Sequence, residues 1–118
     1  MGDRQVIGID FDGVIHWYRQ GDLGQENIYD EPVPGALEFI NACMDIYDVF
    51  IVSARASNEI GREAMRKWLD RYKFPFLPIS DKKPSGELLV IIDDRAVGFS
   101  GKFPSLQELS SFKTWWSQ

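Results

Sequence analysis

The stretch that decides the fold is Val6-Ile7-Gly8-Ile9-Asp10-Phe11-Asp12-Gly13-Val14-Ile15. Its opening residues are apolar without period-two alternation, the pattern of a strand buried on both faces of a parallel sheet. The run then breaks into two aspartates and a glycine. Asp10 and Asp12 are two residues apart, so both lie on one side if the strand continues, and Gly13 lets the chain turn away. Two further runs of the same kind follow, at 49–52 and 88–92. The second run leads into Ser53-Ala54-Arg55 and the third into Asp93-Asp94-Arg95.

Helical patterns separate these runs. After Pro34, suited to a first helical turn, Leu37, Phe39, Ile40, Cys43 and Met44 recur at helical spacing. Ser57 or Asn58 can cap a second helix carrying Ile60, Ala64, Trp68 and Tyr72 at intervals of four, with Met65 and Leu69 on the same side. A short strand at 76–79 is confined to an edge by Pro75 and Pro78. Ser105 reads as the cap of a last helix through Leu106, Leu109, Phe112, Trp115 and Trp116, whose tryptophans are expected to pack on the core. Alternating strands and helices predict one domain over 1–118, a three-layer α/β/α sandwich with a mainly parallel, Rossmann-like sheet. One segment departs from this rhythm. Residues 15–33, of which 16–33 read HWYRQGDLGQENIYDEPV, are long for a connection in a compact domain. They read either as a flap over a site or as a surface hairpin packing Trp17 and Tyr29 on the body. His16, the single histidine, reads more readily as a packing residue than as a catalyst.

The 118 residues, 44% hydrophobic and 26% charged, have the composition of a soluble globular domain rather than a disordered or disulfide-stapled one. Cys43, the single cysteine, lies in an apolar stretch and reads as a small buried hydrophobe. No apolar run approaches the roughly 20 residues of a membrane span. Residues 1–5 lead straight into the first strand rather than into a signal peptide, so a cytoplasmic protein without membrane contact is expected, as a monomer or weak dimer. The net charge of −5 argues against broad binding to nucleic acid. It is unevenly spread: residues 1–54 hold two basic and ten acidic side chains, while 55–73 hold six basic and three acidic.

In parallel α/β sheets, ligands bind at the carboxyl ends of the strands, where the three runs place Asp10, Asp12, Ser53, Asp93 and Asp94. Four carboxylates at one sheet edge repel one another, and a divalent cation, a lysine or protonation can hold them together. Oxygen-only ligands favour Mg2+.

These residues also resemble a family. VIGIDFDGVI resembles the first motif of the haloacid dehalogenase (HAD) superfamily, a strand followed by DxDG; VFIVS is similar to its second, and LLVIIDD to its fourth. A lysine is expected between them. Lys82 and Lys83 both qualify, and Lys83 is preferred because Pro84 follows it. Val14 departs from the threonine of many members. The resemblance implies a phosphatase acting on a phosphorylated substrate through an aspartyl-phosphate. Asp10 would be the nucleophile and Asp12 the general acid and base. Mg2+ would be held by Asp10, Asp12 through its backbone carbonyl, Asp93 and Asp94. Ser53 and Lys83 would bind the phosphate, with Gly13, Ala54 and Arg55 beside the substrate. The segments after the first and second motifs are too short for the family's cap domain, which implies an open cleft.

A narrower similarity links VSAR, RKWL at 66–69 and IDDR to the phosphatase half of bacteriophage polynucleotide kinases. It implies a polynucleotide 3′-end phosphatase as an alternative. Arg55, Arg62, Arg66, Arg71, Trp17, Tyr18 and Arg19 would then guide the strand; the plainer reading pairs the helix arginines with Glu59, Glu63 and Asp70 on a solvated face. A non-catalytic binding module on the same fold and a phosphate-responsive signalling receiver are the remaining alternatives.

Overall fold

The structure is a computed structural model and describes residues 4–83 and 86–117. Residues 1–3 and Pro84, which entered the sequence reading, lie outside the described residues. The three apolar runs form strands β1 (Val6–Asp10), β2 (Asp48–Val52) and β4 (Leu88–Ile92), and a two-residue β3 (Ile79–Ser80) joins them. All pair in parallel, in the order β3-β2-β1-β4. The α/β class expected from the sequence therefore holds, with a four-stranded parallel sheet at its centre.

β1 is an inner strand, which explains its unbroken apolar run: Val6, Ile7, Gly8 and Ile9 are all buried. Its register with β2 is regular, from Val6 beside Asp48 to Asp10 beside Val52. Against β4 the register slips by one residue. Val6 pairs with Leu88, but Ile7 pairs with Val90, so Leu89 bulges out of the ladder. From there Gly8 meets Ile91 and Ile9 meets Ile92, so the next step sets Asp93 beside Asp10. β3 starts later than the strand expected at 76–79, because Pro75 and Pro78 keep the preceding segment out of the ladder. It is an edge strand, as expected.

The first two helices follow the apolar periodicities. Helix α1 (Ala36–Met44) begins two residues after Pro34, which stays outside it, and turns Ile40 and Cys43 inward. Burial raises the Cys43 thiol above its ordinary pKa, in keeping with a packing role rather than a nucleophile. Asn58, not Ser57, caps helix α2 (Glu59–Arg71): its side-chain oxygen accepts from Gly61 N at 2.9 Å. Met65, Trp68 and Leu69 form the buried stripe of α2, whereas Ile60, at the start of the pattern, is 61% exposed. Trp68 meets Phe11 edge-on at 5.1 Å between ring centres and lies parallel to Phe74 at 5.9 Å. With Ile9, Ile40, Ile51 and Leu77 these residues make one core beneath the carboxyl ends of β1 and β2.

The chain after β4 departs from expectation. Ser105 caps helix α3 (Leu106–Ser110) through a capping box with Glu108, but the helix stops there and buries none of its residues. Trp115 and Trp116 belong to a separate 3-10 turn (Trp115–Ser117). They do not join the core: Trp115 is 46% exposed, and both indoles bond to the carboxyl-end face of the sheet. Helical spacing alone could not reveal this, since two residues one turn beyond an amphipathic stripe read as its continuation.

Candidate functional site

Two neighbouring parallel strands, β1 and β4, end on carboxylates, and their register brings these together. Oxygens of Asp10, Asp93 and Asp94 lie within 4.8 Å of one another. Asp10 Oδ1 accepts from Phe11 N at 2.9 Å, and Asp93 Oδ1 from Arg95 N at 2.8 Å, so both side chains are oriented by the backbone that follows the strand. Burial pushes the Asp10 carboxyl up to about 8; a hydrogen bond with Asp94 and the charges of Asp93 and Asp94 add to this, and only the Phe11 N–H opposes it.

Asp12 faces elsewhere. Its Oδ2 accepts from Arg55 Nε at 2.7 Å and its Oδ1 lies 2.8 Å from His16 Nδ1. The other ring nitrogen of His16 accepts from the Asp30 backbone N–H at 3.1 Å, so it carries no proton. His16 is thus the tautomer whose Nδ1–H donates to Asp12. His16 and Arg55 are 2% and 5% exposed, and together they hold Asp12 as an acceptor on both oxygens. The packing role expected for His16 is therefore joined to a polar one. Its ring lies against Phe11, Tyr18 and Trp68.

Arg55 does more than pair with Asp12. Its Nη1 donates to the carbonyls of Gly24 and Gln25, at 3.0 and 2.6 Å, and so ties the 16–33 segment to the end of β2. The segment is further held by Trp68, whose indole donates to Asp30 O at 3.0 Å. It is a fastened loop, with Tyr29 turned out to solvent rather than packed on the body. Arg55 reaches this place because the 3-10 turn Ala54–Ser57 follows β2 at once, and because Gly61 leaves room: a Cβ there would overlap the Arg55 carbonyl. Ser53 is buried at the strand end and caps that turn, its Oγ accepting from Arg55 N at 3.2 Å. Its own hydroxyl proton stays available to a ligand. Ala54 is exposed beside it.

Gly13 turns the chain with φ +86°, and a Cβ there would stand 2.6 Å from Trp116 Nε1 and 2.7 Å from Asp94 Cγ. Trp116 Nε1 donates to Asp94 Oδ2 at 2.5 Å, and Trp115 Nε1 to Gly13 O at 2.7 Å. Sequence reasoning missed these two tryptophans; they lie about a hundred residues from the first motif, and no local signal connects them to it.

The lysines are not brought to the carboxylates. Lys82 and Lys83 are both exposed after β3, and neither pairs with a carboxylate among the described residues. The arginines of α2 act within the fold: Arg62 donates to Ala56 O and Arg66 to Leu77 O, each at 2.7 Å, and among the described residues none pairs with Glu59, Glu63 or Asp70. Among the described residues no helix is long and apolar enough to cross a membrane.

The cluster of Asp10, Asp93 and Asp94 offers three carboxylates that can hold a hard cation. Comparison of the chain with family models, curated proteins and solved structures finds no match in any of the three.

Proposed function

We propose that the chain is a magnesium-dependent phosphomonoester hydrolase acting through an aspartyl-phosphate on Asp10, on a capless three-layer α/β/α domain of the HAD type. The observation that carries this reading is the meeting of Asp10, Asp93 and Asp94 within 4.8 Å, with Asp10 raised to about 8 by burial and by its acidic neighbours. The donor set is all oxygen and lies at the carboxyl ends of parallel strands, which suits Mg2+. Mg2+ held by Asp10, Asp93 and Asp94, with the Asp12 carbonyl as a further ligand, would supply the positive charge that lets a phosphate dianion approach a carboxylate.

The residues then divide the chemistry. An oxygen of Asp10 attacks phosphorus as the bond to the leaving oxygen breaks, and the leaving oxygen takes a proton from Asp12. Asp12, left as a carboxylate, takes a proton from water, whose oxygen attacks the phosphorus of the acyl phosphate and restores Asp10. Arg55 and His16 bond to the two oxygens of Asp12 and so fix the orientation of its side chain for this second step. The Ser53 hydroxyl donates to a non-transferred phosphate oxygen, and Lys83, exposed after β3, is the lysine this reading assigns to the phosphate.

Release of phosphate from an aryl phosphate with Mg2+ tests the reading. Wild-type protein should turn over many times and Asp10→Asn not at all. Equal rates would remove Asp10 from the nucleophile role, and no turnover with any phosphoester or divalent metal would leave the binding-module alternative.

A second reading narrows the substrate to a polynucleotide 3′ end. It is favoured by the aromatic side chains beside the site, Trp17 and Tyr18; Arg19, stacked on Trp17 at 4.4 Å, is itself paired with Glu31 at 2.5 Å. A 3′-phosphorylated oligonucleotide cleaved faster than a mononucleotide, with an advantage that salt removes, would support it; equal rates would count against it.

A further inference from the structure

The 3-10 turn Trp115–Ser117 places two indole N–H groups on the same small region, but on different kinds of acceptor. Trp115 bonds a backbone carbonyl, that of Gly13, whereas Trp116 bonds Asp94 Oδ2, a side-chain oxygen of the acidic cluster. The Trp116 ring has little freedom. Tyr18 meets it edge-on at 4.9 Å, the Arg95 guanidinium lies 5.6 Å from its ring centre, and Gly13 is so near that a Cβ there would stand 2.6 Å from Nε1. An indole N–H is a donor only, so it cannot compete with the carboxylates for a cation; it can only turn one of them. With Oδ2 engaged by the indole, the rotation of the Asp94 carboxylate is set, and Oδ1 is the oxygen left without that partner.

We propose that Trp116 is a positioning residue for the Asp10–Asp93–Asp94 cluster, its indole N–H on Asp94 Oδ2 fixing that carboxylate in the orientation in which the cluster binds a divalent cation. The proposal rests on the reading of these three residues as a metal centre. Hydrogen-bond partners of metal ligands are commonly worth 10–100-fold in metal affinity, and the sequence separation of 22 residues makes this a tertiary device rather than a local turn.

Mn2+ binding to the whole chain, followed by the electron paramagnetic resonance of free Mn2+, tests it without reference to turnover. Trp116→Phe keeps the ring and removes the donor, and is expected to raise the Kd for Mn2+ about tenfold. Trp115→Phe removes the neighbouring donor, which ends on backbone, and should leave the Kd within about twofold. Wild-type affinity in Trp116→Phe, or equal weakening in both variants, would overturn the proposal and leave the turn as a prop for the fold. Absence of Mn2+ binding by the wild-type chain would overturn the metal-centre reading itself, and the proposal with it. Should Trp116→Phe fail to fold, the wild-type chain still decides. The indole N–H resonance of Trp116 should shift on titration with Mg2+, and a resonance that stays in place while Mg2+ binds would overturn the assignment.

Discussion

His16 Nδ1 lies 2.8 Å from Asp12 Oδ1, and the other ring nitrogen, Nε2, accepts from the Asp30 N–H at 3.1 Å, so the imidazole is locked in one tautomer between the first strand end and the fastened loop. Replacing it with leucine keeps much of the bulk but strands two polar groups. His16→Leu should lower thermal stability by about 1–3 kcal/mol. It should also reduce kcat for an aryl phosphate by about tenfold with a smaller change in KM, because Asp12 is displaced while the phosphate site is kept. His16→Asn, which can offer an N–H to Asp12, should recover part of the loss.

Arg55 serves three acceptors from one planar group: the Asp12 carboxylate and the Gly24 and Gln25 carbonyls. A lysine ammonium cannot span that fork. Arg55→Lys should destabilise the fold by about 3 kcal/mol, since the partly buried Asp12 carboxylate keeps only His16 as a fixed partner and the Gly24 and Gln25 carbonyls lose theirs. Limited proteolysis should then cut near 24–25 in the variant well before wild-type protein is cut, and equal cutting would show that the loop is held by other contacts.

Gly13 has a left-handed φ of +86°, and its missing Cβ makes room for Asp94 and Trp116. Gly13→Ala combines backbone strain with a clash and should cost about 1–3 kcal/mol, measured by denaturant unfolding. Divalent-cation binding should weaken in the same variant, because the side chain displaced is that of a cluster carboxylate.

The raised Asp10 carboxyl gives a pH dependence with a definite sign. A group whose folded-state value rises from 3.8 to about 8 contributes stability that is complete below 3.8 and is lost as pH climbs through about 8. In a chelator, wild-type protein should therefore lose stability relative to Asp10→Asn between pH 5 and about 8. Mg2+ should restore more of the melting temperature at pH 8 than at pH 5.5, since it binds the ionised form. A constant difference between the two proteins across this range would show that Asp10 is already ionised when folded.

Much of this was legible in the residues themselves. The runs around Ile7, Ile51 and Ile91 read as parallel strands buried on both faces, and all three are parallel strands; but β4 lies at the sheet edge with none of its residues buried and Leu89 and Val90 about half exposed, so there the unbroken apolar run does not report burial. Ser105, and one of Ser57 or Asn58, read as caps because their side chains can satisfy backbone donors where they stand; the structure selects Asn58. The ends of β1 and β4 brought Asp10, Asp93 and Asp94 into view because parallel sheets gather ligands at one edge, whereas Asp12, expected beside them, is turned to Arg55 and His16. What was not legible is long-range and singular. Trp115 and Trp116 continue the spacing of Leu106 and Leu109, and only tertiary structure shows that the helix ends at Ser110 and sends them to Gly13 and Asp94. Arg55 read as a substrate contact, yet its partners lie 43 residues away in Asp12 and 30 and 31 away in the loop. Periodicity carries no information about such pairs.

The bulge at Leu89 bears on how this chain can vary in length. A strand that gains or loses one residue ordinarily turns every later side chain to the wrong face. Here the irregular step lies at the start of β4, remote from the carboxylates, and everything from Val90 onward keeps regular phase with β1. Insertions or deletions in the connection that carries Lys82 and Lys83 can be absorbed at that step without passing on to Asp93 and Asp94. The strand thus insulates its acidic end from drift in the loop that feeds it, and indel tolerance should change abruptly on crossing from Leu89 to Val90.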